Sequence, residues 1–198
     1  MEQLRVAFVS GVTPDKWAKV WRERNPGIRL ALVPIEQNQQ RSVLDEDVAD
    51  MVLARLPVDL DSPTPLHCVR VYDEVPVVVA GRDHFVAAAE ADVPIPVADL
   101  SGEQLVLPHP SGWQPSAPQL DFPPMSEKDA IEVAASGSGI VIVPMSIARL
   151  FHRKDVVQRP VDLEPTTIAL LWLRDADGPV HQDFVGVVRG RRAGSSRG

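Results

Sequence analysis

The chain has one cysteine, Cys68, in 198 residues, so no internal disulfide framework holds it together and a reducing compartment fits it. Cys68 stands near Arg70 and Val71 in a strand-like run and reads as an inert buried thiol rather than a nucleophile. The opening MEQLRVAFVSG has no basic leader, no long apolar stretch and no cleavage site, so no export signal is read there. No apolar run approaches the length of a membrane span, and the expected compartment is the cytoplasm. A basic footprint is missing too. The formal net charge of −7 argues against nonspecific affinity for nucleic acid. The one basic cluster is the Gly/Ser/Arg tail, and residues 191–198 are expected to be disordered.

Most catalytic templates are also absent. The five histidines show no HxH or HExxH spacing and no cysteine pairing, so no metal and no cofactor are expected. There is no G-x-S-x-G elbow and no P-loop. Gly137-Ser138-Gly139 has the look of a dinucleotide fingerprint, yet it follows a helical pattern and precedes a strand, the reverse of what phosphate binding needs. Asp45-Glu46-Asp47 reads as a solvated turn rather than a carboxylate site.

What is present is a chain of ordinary globular composition, 44% hydrophobic and 24% charged, long enough for one large domain or two small ones. The most complete unit is SEKDAIEVAASGSGIVIVP, residues 126–144. Ser126 is a good N-cap, with Asp129 in the first turn. Ala130, Ile131, Val133, Ala134 and Ala135 follow a helical rhythm, and Gly137 suits the left-handed helix end. Gly139 permits a close turn, and Ile140-Val141-Ile142-Val143 is a strand buried on both faces.

The N-terminal third reads β-α-β-(α)-β. A strand over 5–10 leads to a helix with Thr13 as N-cap and Pro14 at its first position. Trp17, Ala18, Val20 and Trp21 form its apolar stripe, and Asn25-Pro26-Gly27 stops it. Strands are expected over 28–35, with Pro34 marking an edge, and over 50–56. Strands at 66–71 and 75–80, an irregular 87–97, a strand at 103–107 and a helix-free proline-dense loop at 108–124 come next. After the 126–144 unit come a helix at 146–151, strands at 156–159 and 167–173, and a last amphipathic helix at 180–188.

This order of elements resembles the effector-binding domain of LysR-type transcriptional regulators, carried by LRVAFVSGVTPDKWAKVWRERNPGIRL, LHCVRVYDEVPVVVAGRDHFVA, VADLSGEQLVLP and the 126–144 unit. The resemblance implies a type 2 periplasmic-binding-protein fold: α/β, two Rossmann-like lobes joined by crossover strands. Lobe I would be 1–76 plus 170–190 and lobe II 77–169. It implies a small-molecule effector in the cleft between the lobes, and no enzyme. The family's winged helix-turn-helix is not among these residues, so no direct DNA binding is expected of them, and no membrane contact. The matching helix lines a dimer interface in the family, so a homodimer is expected, with one of Trp17 and Trp21 exposed.

Two helix N-termini would aim free N–H groups into such a cleft, where a carboxylate is the natural guest. Ser10, Gly11, Val12 and Thr13 would supply donors from lobe I, and Met125, Ser126 and Glu127 from lobe II. His109 and Ser111 are further contacts, and Trp113 a wall. Thr13 and Ser126 read equally as plain helix caps, and His109 as a loop histidine with no ligand. The rival function is an enzyme on the same fold acting on a small anionic metabolite; its candidate groups would be Asp83, His84, His109 and Glu127, none with an evident partner.

Overall fold

The structure is a computed structural model that describes residues 2–61 and 63–190. The expected disordered tail at 191–198 lies outside the described residues. Two compact units result from the chain leaving and returning once: Met1–Asp73 with Thr167–Gly198, and Glu74–Thr166.

The first unit is built on a five-stranded sheet. Its strands are β1 (Gln3–Val9), β2 (Arg29–Ile35), β3 (Met51–Arg55), β4 (Leu66–Glu74) and β8 (Thr166–Leu173), in the order β2-β1-β3-β8-β4. β1 pairs in parallel with β2 and β3, while β8 runs antiparallel to β3. Pro34 lies on the edge strand β2, where its missing N–H breaks no ladder. Every residue of β3 is buried, as its run of apolar residues requires of a central strand. Helices α1 (Asp15–Arg24) and α5 (Pro179–Val188) join this core through Trp21 and Phe184, whose rings meet edge-on at 5.6 Å. The Trp21 indole N–H donates to Ile28 O at 3.0 Å, which ties the end of α1 to the turn that follows it. Trp17 is only half-buried. The acidic turn at the end of the short helix α2 (Ser42–Asp45) is pinned as well as solvated: Arg41 pairs with Asp45 at 2.8 Å, and Arg5 binds Asp50 at 2.7 Å and also Asp47. Cys68 is partly buried, and burial raises its thiol pKa, in keeping with an inert group.

The second unit has a three-stranded antiparallel sheet of β5 (Pro76–Gly81), β6 (Val141–Pro144) and β7 (Val156–Pro160), ordered β6-β5-β7. Helix α3 (Glu127–Ala135) packs Ala130, Ile131 and Ala134 against Val77, Val79, Val141 and Val143. Gly137 takes φ = 81°, as expected of the residue that ends α3. A Cβ at Gly139 would stand 2.4 Å from Gln104 O, so only glycine fits this approach. Helix α4 (Met145–Leu150) then leads to β7.

The strand expected over 103–107 does not form. One parallel bridge, Leu105 to Ile140, is all that remains of it. Side-chain amides take the place of a strand partner. Gln104 accepts from Leu120 N–H at 2.7 Å and donates to Pro118 O at 2.9 Å, while Gln119 accepts from Leu105 N–H at 2.7 Å and donates to Glu103 O at 2.9 Å. This reciprocal clasp also explains how the proline-dense 108–124 loop is ordered without helix.

Candidate functional site

The start of α1 is an open helix end. β1 stops at Val9, Gly11 takes φ = 87°, and Val12 N–H closes a tight turn on Val9 O at 3.2 Å. Pro14, not Thr13, occupies the N-cap position with φ −79° and ψ −5°, and no side chain caps the helix. This corrects the expected Thr13 cap. The proline ring already holds the helical φ one residue earlier, which puts Thr13 outside the reach of the first turn. Thr13 is exposed, and its hydroxyl has no protein partner among the described residues. Beneath this loop lies Arg55 at the end of β3, 2% exposed. Its Nη2 donates to Ser10 O at 3.0 Å and its Nη1 to Gln37 Oε1 at 2.8 Å. Gln40, also buried, donates to Arg55 O at 3.2 Å and accepts from Arg55 N–H. The guanidinium so held braces the loop that carries Ser10, Gly11, Val12 and Thr13 through the Ser10 carbonyl.

The start of α3 is closed instead. Ser126 Oγ accepts from Asp129 N–H at 3.2 Å and donates to Asp129 Oδ2 at 2.8 Å. Glu127 and Asp129 place two carboxyl groups in the first turn, so the positive end of this helix already faces negative charge. The cap reading of Ser126 is realised. Met125 is half-buried against the α3 core.

His109 sits in the second unit in a tight turn, with Gly112 N–H donating to His109 O at 2.9 Å. The ring is 6% exposed. Its Nδ1 accepts from Ser111 N–H at 3.3 Å and lies 2.8 Å from Ser111 Oγ, which itself accepts from Trp113 N–H at 3.2 Å. Burial lowers its pKa, so the ring is neutral at pH 7. Trp113 packs against Leu100 and its neighbours.

Two cavities open on the second unit. A basin of about 920 Å³ is lined by Arg82, Asp83, His84, Ser136, Arg153 and Lys154 among others, with Arg153 fixed to Asp155 at 2.9 and 2.7 Å. A smaller one of about 230 Å³ lies under the proline-dense loop beside Leu105, Gln119 and Phe122. None of the eight residues expected to bind ligand lines either cavity. His84, taken from the sequence as partnerless, has Glu103 Oε2 3.0 Å from its Nε2, and its Nδ1 accepts from Val86 N–H. Both ring nitrogens are therefore occupied in holding a turn. Among the described residues no group of three or more His, Cys, Asp or Glu is placed to hold a metal ion. No helix among them is long and apolar enough to cross a membrane.

Arg55 is the site feature that the sequence reading missed. Its signal was available: a charged residue closing the otherwise apolar strand MVLAR, at the carboxyl end of a parallel sheet where α/β proteins place their ligands.

The fold is that of the two-unit effector-binding domains. The BenM effector binding domain with its effector benzoate superposes with a TM-score of 0.74 at 18% identity, over 98% of this chain and 96% of that one. The reduced form of OxyR gives 0.72 at 22% identity, over 98% of each chain. Full-length CbnR in complex with its target DNA gives 0.66 at 17% identity, with this chain covering 70% of it. No curated protein sequence matches the chain. The LysR substrate binding domain family model matches residues 2–121, and the chain belongs to that family. Its fold is accordingly type 2 periplasmic-binding-protein-like, as the sequence resemblance implied.

Proposed function

We propose that this chain is the effector-sensing domain of a LysR-type regulator and that its effector is a small carboxylate held between the two units. The carboxylate end belongs at the start of α1. The observation that carries this reading is the buried Arg55 guanidinium on Ser10 O, beside a helix end that no side chain caps. Donors without an evident protein acceptor gather there: the Thr13 hydroxyl and N–H, the Gly11 N–H and the first N–H groups of α1. Met125, Ser126, Glu127 and His109 would complete the site from the second unit. Because Ser126 is committed to Asp129, its part is to hold the helix start in place.

On this reading the domain works in the cytoplasm, turns over nothing, and dimerises through α1, where Trp17 and Val20 are half-buried beside the edge strand β2. A second chain segment or partner supplies the DNA contact. Sedimentation that gives a clean monomer at high protein concentration would remove the dimer.

Benzoate is the first probe, because it is the effector bound in the BenM domain. A thermal-shift titration with benzoate, aliphatic monocarboxylates and dicarboxylates should raise the melting temperature for at least one acid, by an increment that grows with the logarithm of its concentration. Benzamide should not reproduce it. A rise with the amide and none with any acid would sink the carboxylate assignment.

A further inference from the structure

The second unit, residues 74–166, holds six Lys and Arg against thirteen Asp and Glu. Three of the six, Arg82, Arg153 and Lys154, line the basin of about 920 Å³, where Asp83 and Asp155 are all that stand for the thirteen. A unit that is acidic as a whole has gathered half its cations in one place. Asp155 is already taken: Arg153 binds it through Nε and Nη2 at 2.9 and 2.7 Å, and those bonds, aided by the nearby charge of Arg82, hold its carboxyl below the ordinary range. The head groups of Arg82 and Lys154 have no hydrogen-bond or salt-bridge partner among the described residues.

A helix C-terminus attracts positive charge, and Ser136 and Gly137, at the end of α3, also line the basin. That end is answered without these two cations. Val133 O accepts from Ser136 N–H at 3.1 Å and from Ser136 Oγ at 2.7 Å, and Ala134 O accepts from Gly137 N–H at 3.0 Å. The scaffold around the cations is tight. A Cβ at Gly81 would stand 3.3 Å from Ala134 O, His84 N–H closes a turn on Gly81 O at 3.0 Å, and Arg82 N–H ties that turn to Asp155 O at 3.1 Å.

We infer that this basin is a binding site for a multiply charged phosphate compound with an organic body, a nucleotide or a sugar phosphate in size. Solvent-exposed cations gain little from a single charge, so the guest carries two or more. Arg82 offers the planar fork that suits phosphate oxygens, and Lys154 adds a second charge. A phosphate group fills only a small part of a basin this large, so the rest takes the body of the ligand. Asp83, the one lining carboxylate with no partner among the described residues, opposes the anion and limits its affinity. The site lies within the second unit and does not rest on the effector reading above.

The test is an amide-shift titration of the ¹⁵N-labelled full chain with pyrophosphate and ADP, and with citrate as a multiply charged anion that has no phosphate. Pyrophosphate and ADP should shift the amides of Gly81, Arg82, Gly137 and Lys154. Arg82→Gln and Lys154→Gln should each weaken ADP about fivefold, near the upper value of one exposed ion pair, and the pair about twentyfold. Asp83→Asn should tighten ADP about threefold, which a merely unfolded or loosened basin would not do. All of these affinities should fall as salt is added. Shifts absent from those four amides with both phosphates, or weaker ADP binding in Asp83→Asn, overturn the inference. Citrate binding as tightly as ADP overturns the phosphate class. A double variant that lowers the melting temperature while ADP affinity stays at the parental value assigns both cations to the end of α3 and overturns the site.

Discussion

Helices α1 and α3 are of similar length, yet they start by opposite means. α3 is closed by its own sequence: Ser126 and Asp129 bond each other twice, and two carboxyl groups sit in the first turn. α1 is left open: Pro14 sets the entry, nothing caps it, and a buried arginine lies beneath its loop. A helix end that its own chain satisfies has been used for stability. One left unsatisfied beside a fixed positive charge is available to a ligand.

The sharpest way to break this contrast is at Arg55. Arg55→Ala should cost about 3 kcal/mol in urea unfolding, because it strands the Ser10 carbonyl and the Gln37 amide oxygen in a part-buried setting while the Gln40 bonds to the residue 55 backbone remain, and it should abolish whatever benzoate binding the parent shows. Arg55→Met separates the two effects. If the methionine variant is as stable as the parent but binds nothing, the guanidinium is retained for the ligand rather than for the fold. If it binds benzoate unchanged, the electrostatic account of the α1 start is wrong.

Ser126→Ala comes next in size, with an expected loss of about 1 kcal/mol from the missing cap. Benzoate affinity should stay within about twofold, a change too small to represent a lost ligand hydrogen bond. A tenfold loss of affinity without loss of stability would reverse the roles assigned to the two helix starts.

Much of this was readable in the sequence where cause and effect are close along the chain. The Ser126–Asp129 cap, the left-handed Gly137 and the β-branched strand after Gly139 are all decided within a few residues. Thr13 misled because its spacing to the helix looked right while Pro14, one residue on, already set the backbone. The failed strand at 103–107 needed knowledge that the Gln104 and Gln119 side chains each bond the backbone beside the other across the intervening loop. Arg55 reaches Ser10 across 45 positions, and no local pattern predicts that pairing. Tertiary pairing is what the sequence withholds, and the open helix end depends on it.

Acid offers a milder handle, through the two buried histidines. Burial holds both His181 and His109 below the ordinary histidine pKa, so both are neutral in the folded chain at pH 7. The unfolded chain titrates near pH 6.5 and takes up protons first as the pH falls. Stability should therefore be full above about pH 6.5, decline below it, and level off once the folded rings titrate in their turn. His181 lies in α5 with Nε2 sealed and unpartnered, so His181→Leu should flatten part of the decline and the His181→Leu, His109→Asn pair the rest. A parallel decline in the double variant would trace it to carboxylates instead. Asp177 is the first to examine, since its hydrogen bonds from Gln182 and Trp172 hold its pKa low and their loss would come at still lower pH.

The smallest stability effect carries the most information about function. Thr13→Ala removes an exposed hydroxyl with no protein partner among the described residues, so unfolding should shift by less than about 0.5 kcal/mol. If that hydroxyl belongs to the effector site, the same substitution should weaken benzoate by about fivefold, roughly 1 kcal/mol and the middle of the range for one neutral hydrogen bond. Thr13→Ser keeps the hydroxyl and should restore most of the affinity. The contrast with Ser126→Ala is then complete: one serine whose loss is felt in folding and not in binding, one threonine whose loss is felt in binding and not in folding. Should Thr13→Ala instead lower stability as much as Ser126→Ala, the hydroxyl is capping α1 in solution, and the open helix end would lose its claim to the ligand.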